Sequence, residues 1–493
     1  MGLTSGPHGA KQALRDRYRE CFRAVPTLAD ARIGAHIDHA HAVCLLDGNV
    51  LIMGMSFAST LEQFVSGFCA SCRAALVSAA TVVVVFDEPE YVTAAKLESQ
   101  RRRDTGGRAK SEGTTTGTAS PPVACKTDAF GAADLHGADD VRPYLTSRKS
   151  RYRFIDEVVR CAFKRLRCDV ARWAGSGERH ASLAVHRVDA AGATRPFGEP
   201  RRVEVMATDD ALAKALSGGD PIGEGDLKMI EISARVHAAA KRVAGTAQVE
   251  DAPLVAARLV LHATIDTDAL VLCCVHFEAM ERARSHAGTV VVGPPTVRDV
   301  IAFRERAATT AAARDKRKAA CLDDALGNDA YYLLCDVASL ARAMRVDCFG
   351  DPRMSNALAP TVEERERLYI ALACVAACAG CDFHIVPGFW FDVGLQAAFR
   401  LLRCPDVPLR ALDGLRLSTT TDNALAAGGA VVALLRETAV GLDGTPRGRQ
   451  AAEKVRKAID EPTSANRALW TASYWCRNEH RELMPFGFLP LSG

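Results

Sequence analysis

Three stretches of the chain are almost continuously apolar, and in each of them an acidic residue follows the apolar residues. They are VCLLDG (43–48), TVVVVFDEP (81–89) and ARLVLHATIDTDALVLCCV (257–275). A short continuous apolar run is typical of a strand that is buried on both faces of a parallel sheet. The stretch between residues 154 and 166, FIDEVVRCAFKRL, has instead the spacing of an amphipathic helix. This alternation of strands and helices predicts an α/β fold with a mostly parallel central sheet.

Acidic residues recur where apolar segments stop, at five places along the chain. In order they are Asp47, Asp87, the pair Glu224 and Asp226 in PIGEGDLKMIE (221–231), the pair Asp266 and Asp268, and Asp382. Ligands of open α/β sheets bind at the carboxyl ends of the strands, which is where these acids are expected. Residues two apart in a strand point to the same side, so the pair in TIDTD can share one target.

Clustered carboxylates repel one another, and divalent cations relieve that repulsion. A ligand set made only of oxygen atoms selects Mg²⁺ or Mn²⁺. Two such ions about 4 Å apart are the usual machinery for phosphodiester cleavage. Taken singly, each acid has a structural alternative. An Asp after a strand is commonly a turn residue or a helix cap, and GEGD alone fits acids at a helix N-terminus. The ordered set favours a two-metal site.

Basic residues are concentrated in two segments, although the net charge of the whole chain is only +3. Residues 94–110 hold six Lys or Arg against two acids, and residues 142–168 hold nine against two. Such patches attract phosphate even in a nearly balanced chain, although a charge run is also the ordinary pattern of a solvated helix face.

With these motifs in hand, the chain resembles the 5′-nuclease superfamily, which contains flap endonucleases, XPG-type nucleases and Xrn exoribonucleases. The motifs that carry the resemblance are LLDGN, VVFDEP, GEGD, TIDTD and GCDF, in that order. The Met1-Gly2 start is similar to that of family members, in which Gly2 lies near the active site. The resemblance implies a PIN-like three-layer sandwich with a helical arch or insertion and a helical C-terminal extension.

The resemblance also implies roles for named residues. Two Mg²⁺ or Mn²⁺ ions would be held by the seven acids: Asp47, Asp87, Glu224, Asp226, Asp266, Asp268 and Asp382. Lys96 would act in catalysis, and Lys96, Gln100, Arg101 and Arg103 would bind the phosphate of a nucleic acid. These four residues, and the form GEGDLKM, are closer to the Xrn pattern than to that of flap endonucleases.

One segment departs from the flap-endonuclease pattern. HIVPGFWFDVGLQAAFRLL, which follows Asp382, keeps Pro387 and Gly388 but lacks the second glycine pair and the lysines of the family's duplex-binding helix–hairpin–helix.

From the ordered set of motifs, we predict a metal-dependent nuclease that cuts structured DNA from a 5′ end in replication or repair. An RNA-directed 5′→3′ exonuclease is the close alternative. A catalytically inactive nuclease fold that serves as a binding scaffold is a third.

Five segments are expected along the chain. They are an N-terminal nuclease half (1–103), a flexible basic insertion or arch (104–150), a second nuclease half (151–280) with an irregular insertion (170–220), a connector with the last metal acid (281–410) and a helical extension (411–493). The 17 cysteines show no disulfide-framework spacing, and from the residue pattern we expect neither a signal peptide nor a membrane span. The expected setting is a reducing intracellular compartment, the nucleus or cytoplasm, and the insertions are consistent with a viral protein in a host cell.

Overall fold

The structure is a computed structural model, and it describes 208 of the 493 residues of the chain. The described residues are 10–55, 58–87, 132–145, 148–175, 181–188, 203–217, 225–242, 254, 256–266, 269–274, 276–277, 280, 297–305 and 331–349. No helix among them is long and apolar enough to cross a membrane.

Eight strands and nine helices are named in chain order. The strands are β1 (Phe22–Val25), β2 (Ala42–Asp47), β3 (Thr81–Val85), β4 (Ser182–Val188), β5 (Val203–Ala207), β6 (Leu259–Thr264), β7 (Arg298–Glu305) and β8 (Tyr331–Asp336). The helices are α1 (Ala10–Arg17), α2 (Leu28–Gly34), α3 (Gly48–Met53), α4 (Leu61–Ser78), α5 (Ala132–His136), α6 (Arg148–Gly175), α7 (Asp210–Leu216), α8 (Gly225–Arg242) and α9 (Val337–Phe349). Residues 269–274 are helical, so the second half of the apolar run 257–275 is not the strand that the sequence predicted, and of the described residues of that run only Leu259–Thr264 are extended.

All eight strands form one sheet, in the order β1-β8-β7-β6-β2-β3-β4-β5. The five central strands, from β7 to β4, run parallel to one another. The outer strands are antiparallel to their neighbours: β8 to β7, β1 to β8, and β5 to β4. The predicted α/β fold with a mostly parallel sheet is confirmed, and three of the predicted apolar runs supply the adjacent strands β6, β2 and β3.

The sheet is buried on both faces because alternate side chains of a strand point to opposite sides. On one face, Cys44 and Leu46 of β2 and Val82 and Val84 of β3 pack in a core with α4 and α6. On the other face, the intervening residues of the same strands pack against α7 and α8. A strand with two covered faces must be apolar at consecutive positions, which explains the continuous runs LL and VVVV.

Two segments contain more regular secondary structure than their sequences predict. The span 170–220, expected as an irregular insertion, contributes β4, β5 and α7, and β4 extends the parallel part of the sheet. The span 281–410, expected as a connector, contributes β7, β8 and α9. Both additions widen the sheet on either side of β6, β2 and β3, so the strands that end in the predicted acids lie in its interior.

Candidate functional site

Asp47 is the last residue of β2 and the N-cap of α3. Its side chain accepts a 3.0 Å hydrogen bond from the Val50 backbone N–H, so it satisfies one of the free donors at the start of that helix. The next residue is Gly48, where a Cβ would overlap the Phe86 ring. The strand therefore turns into α3 directly beneath Phe86, and this close approach requires glycine.

Asp87 lies two residues beyond the end of β3 and contacts the start of α8. Its Oδ1 accepts a 2.7 Å hydrogen bond from the backbone N–H of Gly225. A Cβ at Gly225 would lie 3.0 Å from the same oxygen, which is tighter than ordinary van der Waals contact. Glycine at this position therefore allows the helix N-terminus, with its partial positive charge, to approach the carboxylate.

Phe86, just before Asp87, connects the two faces of the sheet. Its ring stacks on Phe68 of α4 with ring centroids 6.2 Å apart, within the α4 and α6 core. Its carbonyl accepts a hydrogen bond from the Nζ of Lys228 on α8, and its N–H donates to the His186 carbonyl of β4 at 3.3 Å. The backbone that presents Asp87 is thus held by α4, α8 and β4 together.

Lys228 is fully buried, and it is not among the site residues predicted from the sequence. It lies between the apolar residues Leu227 and Met229 in the first turns of α8. A buried ammonium group requires hydrogen-bond acceptors, and one of them is the carbonyl directly before Asp87. The signal in the sequence was a lysine inside an otherwise apolar run, LKMI, immediately after GEGD.

Asp226 and Asp266 complete the described part of the predicted acid set. Asp226 is the second residue of α8, directly after the glycine that contacts Asp87. Asp266 lies two residues beyond β6, and its backbone N–H donates a 3.0 Å hydrogen bond to the Thr264 hydroxyl. Ile265 beside it is 48% exposed, so this end of β6 is open to solvent.

The structure brings these four acids to one edge of the sheet. Asp47 pairs with Val85 in the register of β2 and β3, and Leu46 pairs with Ala263 in the register of β2 and β6. The carboxyl ends of three adjacent parallel strands therefore lie side by side, at the usual spacing of about 4.8 Å between neighbouring strands. Among the described residues, however, no three of these carboxylates bring ligand atoms within 4.8 Å of one another.

The other predicted site residues lie outside the described residues. They are Gly2, Lys96, Gln100, Arg101, Arg103, Glu224, Asp268 and Asp382.

A second polar cluster, buried in the core between α8 and strands β6 and β7, was not anticipated from the sequence. The Asp299 carboxylate accepts a 2.6 Å hydrogen bond from the Ser233 hydroxyl and lies 2.6 Å from His237 Nε2 and 2.8 Å from His262 Nε2. All four side chains are buried. Burial alone would raise the pKa of Asp299, but the two imidazoles overcome that effect and hold it well below the usual range.

Two further buried histidines surround the same face of the sheet. Burial, together with the nearby charges of Lys228 and Arg235, lowers the pKa of His186 to about 3. Burial likewise lowers the pKa of His276 to about 3, against the opposing influence of Asp299. Both imidazoles are therefore neutral near neutral pH. The two neutral rings pack in the core on the α8 face of the sheet, and they make the stability of the fold sensitive to acid.

A third cluster lies on the opposite face of the sheet, where His136, Glu157 and Cys161 meet. It is the one group of three His, Cys, Asp or Glu side chains within the described part of the chain whose ligand atoms all lie within 4.8 Å of one another. The sequence signal was the four-residue spacing of Glu157 and Cys161 on a predicted helix. No sequence pattern near His136 indicated that its side chain would contact Glu157 and Cys161.

No protein-family model matches the chain, and no curated protein is significantly similar to it.

Proposed function

We propose that the protein is a divalent-metal-dependent nuclease that hydrolyses phosphodiester bonds from the 5′ side of a nucleic acid. The observation that carries the proposal is the common edge shared by Asp47, Asp87 and Asp266, with Asp226 brought there by the contact between Gly225 and Asp87. Separate parts of the chain supply these acids in the order of the 5′-nuclease motifs. The fold would then be a PIN-like three-layer sandwich.

The donor atoms at this edge fit Mg²⁺ or Mn²⁺, because every predicted ligand is a carboxylate oxygen. Asp47, Asp87, Glu224 and Asp226 would hold one ion, and Asp266, Asp268 and Asp382 the second. When bound, such ions lower the pKa of water and stabilise charge on the phosphate oxygens.

The chain's own residues would orient this set. The Gly225 N–H holds one oxygen of Asp87, and the Lys228 ammonium holds the backbone immediately before it. The N-cap bond of Asp47 restricts its rotamer. Restricting the carboxylates before the ion binds reduces the entropy lost on binding and fixes the direction of their lone pairs.

Substrate recognition would come from the basic segment after Asp87. Lys96, Arg101 and Arg103 would contact the phosphate, with guanidinium groups binding its oxygens in pairs, and Gln100 would assist. We favour structured DNA, in replication or repair. RNA with a 5′ phosphate is the second candidate, favoured by the spacing of Lys96, Gln100, Arg101 and Arg103 and by GEGDLKM. The nine described cysteines are free thiols, which fits a reducing nuclear or cytoplasmic setting.

The experiment compares cleavage of 5′-labelled flap DNA and 5′-monophosphate RNA with Mg²⁺, with Mn²⁺ and with chelator. We expect metal-dependent cleavage of one substrate in preference to the other, and its loss in Asp47→Asn and Asp266→Ala. The Asp47→Asn change keeps a good N-cap residue and removes only the charge.

Asp336→Asn is the matched control. Asp336 also ends a strand and caps a helix, but β8 is antiparallel to β7, so this acid lies at the opposite edge of the sheet. It should keep wild-type cleavage. If the wild-type protein binds but cleaves neither substrate, the scaffold alternative holds. If Asp266→Ala cleaves as well as wild type, the proposed site is wrong.

A further inference from the structure

The cluster of His136, Glu157 and Cys161 combines three kinds of ligand on two helices. His136 is the last residue of α5, while Glu157 and Cys161 lie one turn apart on α6. His136 Nε2 lies 2.9 Å from Glu157 Oε1, and the Cys161 thiol donates to the same oxygen at 3.3 Å. Three potential ligand atoms from two elements therefore converge on one point.

We propose that this cluster is a binding site for a zinc-class transition-metal ion, separate from the acidic edge of the sheet. Imidazole nitrogen, thiolate sulfur and a carboxylate oxygen form a mixed donor set that suits Zn²⁺ and Co²⁺ and disfavours Mg²⁺. Three protein ligands leave the fourth tetrahedral position to water or to another ligand. The inference does not depend on the proposed nuclease activity, because α6 packs on the face of the sheet opposite to α8.

The charge at the cluster suits a cation. Glu157 supplies a carboxylate ligand, and its present partners are His136, Cys161 and the guanidinium of Arg160. Arg160 contacts both oxygens of Glu157, at 2.6 and 3.0 Å, and its side chain is 63% exposed. An exposed guanidinium pairs only weakly, since water solvates it well. A bound metal ion would replace the guanidinium as the partner of Glu157, and the Arg160 side chain would then extend into solvent.

The cluster is also accessible, unlike most of the described thiols. The His136 side chain is 54% exposed and Cys161 is half-buried, whereas Cys44, Cys69 and Cys72 are buried. An ion can therefore enter from solvent on the His136 side. On binding, the thiol proton of Cys161 passes to water and the sulfur bonds to the metal as thiolate.

The test uses the full chain without a polyhistidine tag, stripped with chelator and titrated with Co²⁺ and then with Zn²⁺. We expect one tightly bound Co²⁺ with a thiolate-to-cobalt charge-transfer band, displaced by Zn²⁺. Cys161→Ser should abolish the band, and His136→Ala should weaken binding by about tenfold or more, as loss even of an outer-shell partner does. Cys168→Ser is the matched control, because that thiol is exposed on the same helix outside the cluster, and it should bind as wild type.

A second variant keeps the test informative if Cys161→Ser fails to fold. Arg160→Ala removes the guanidinium that competes for Glu157, so it should bind Co²⁺ at least as tightly as wild type. The proposal is overturned by absence of the thiolate band in wild type, by a band that survives Cys161→Ser, or by weaker binding in Arg160→Ala. None of these outcomes affects cleavage at the acidic edge, where Asp47→Asn is the diagnostic variant.

Discussion

The Asp87 carboxylate accepts a 2.7 Å hydrogen bond from the backbone N–H of Gly225, a residue 138 positions later in the chain. This contact joins the end of β3 to the start of α8. Asp226 is the residue directly after this contact, although it and Asp87 belong to different motifs of the sequence. The geometry of the proposed metal site therefore depends on a glycine as much as on its carboxylates.

Gly225→Ala tests this dependence. Its Cβ would lie 3.0 Å from Asp87 Oδ1, so the carboxylate or the helix must move by a few tenths of an ångström. We expect metal-dependent cleavage to fall by about tenfold, because small misplacements of catalytic groups have large kinetic effects. The melting temperature should change little.

The control for that substitution is Gly137→Ala, where a Cβ would meet its nearest neighbour at 3.5 Å, an ordinary contact. This variant should cleave as wild type. Equal activity of both alanine variants would show that the approach of Gly225 to Asp87 does not matter for the site.

Lys228→Met tests the buried ammonium of α8. Methionine has a similar length and suits the apolar surroundings, but it cannot donate to the Phe86 carbonyl. We expect the free energy of unfolding to fall by about 1–3 kcal/mol, the cost of leaving a buried acceptor without its donor. Urea denaturation measures the free energy of unfolding.

The matched control is the exposed Lys214 of α7. Lys214→Met should change the free energy of unfolding by less than about 0.5 kcal/mol, as is usual for surface substitutions. A stability gain in Lys228→Met would mean that the burial cost of the ammonium exceeds the benefit of its hydrogen bonds.

Asp299→Asn tests the buried cluster between α8 and β7. The carboxylate is fully buried and paired with His237 and His262, so its neutralisation should lower the free energy of unfolding at neutral pH by about 3–5 kcal/mol. The folded-state pKa of Asp299 lies well below its usual value of 3.8. The stabilisation is therefore present above 3.8 and is lost as pH falls towards the folded-state value.

Urea unfolding of wild type and Asp299→Asn should thus differ most near neutral pH and converge below about pH 4. Asp140→Asn provides a comparison at an exposed acid whose pKa is lowered to about 2 by Arg142, and no measurable change is expected there. A constant difference between wild type and Asp299→Asn from neutral pH to about pH 3 would contradict the ionised state of Asp299.

The buried neutral histidines predict acid sensitivity at higher pH. The pKa values of His186 and His276 fall from 6.5 to about 3 on folding, mainly through burial. Below 6.5 the unfolded chain binds protons that the folded chain cannot, so stability should decline as pH falls, by about 1.4 kcal/mol per pH unit for each histidine. His186→Leu should reduce that slope between about pH 6 and pH 4, as measured by urea unfolding.

Three of the eight strands were predictable, because buried parallel strands have a locally apolar sequence. VCLLD and TVVVV are apolar at consecutive positions, and the structure makes them β2 and β3. SLAVHRV is a strand of the same sheet, but its polar residues and the irregular composition around it concealed β4. The histidine of this strand, His186, lies in the core as a neutral ring, because burial lowers its pKa.

The candidate site was predictable as a set of residues but not as an arrangement. The acids at or just beyond the ends of β2, β3 and β6 follow from the rule that ligands bind at the carboxyl ends of strands. Lys228 and the Asp299 cluster do not, because their hydrogen bonds join residues 142, 62 and 37 positions apart. Asp382, Glu224 and Asp268 stay predictions, since they lie outside the described residues.

By itself, the sequence determined that three apolar runs contain buried strands and which acids follow in each run, because hydrophobic periodicity and chain order are local properties. Only the tertiary structure decided that β6, β2 and β3 are neighbours, that Gly225 contacts Asp87, and that His136 meets Cys161. These relationships follow from packing between distant segments. The residue pattern within one segment does not indicate which distant segment it will contact.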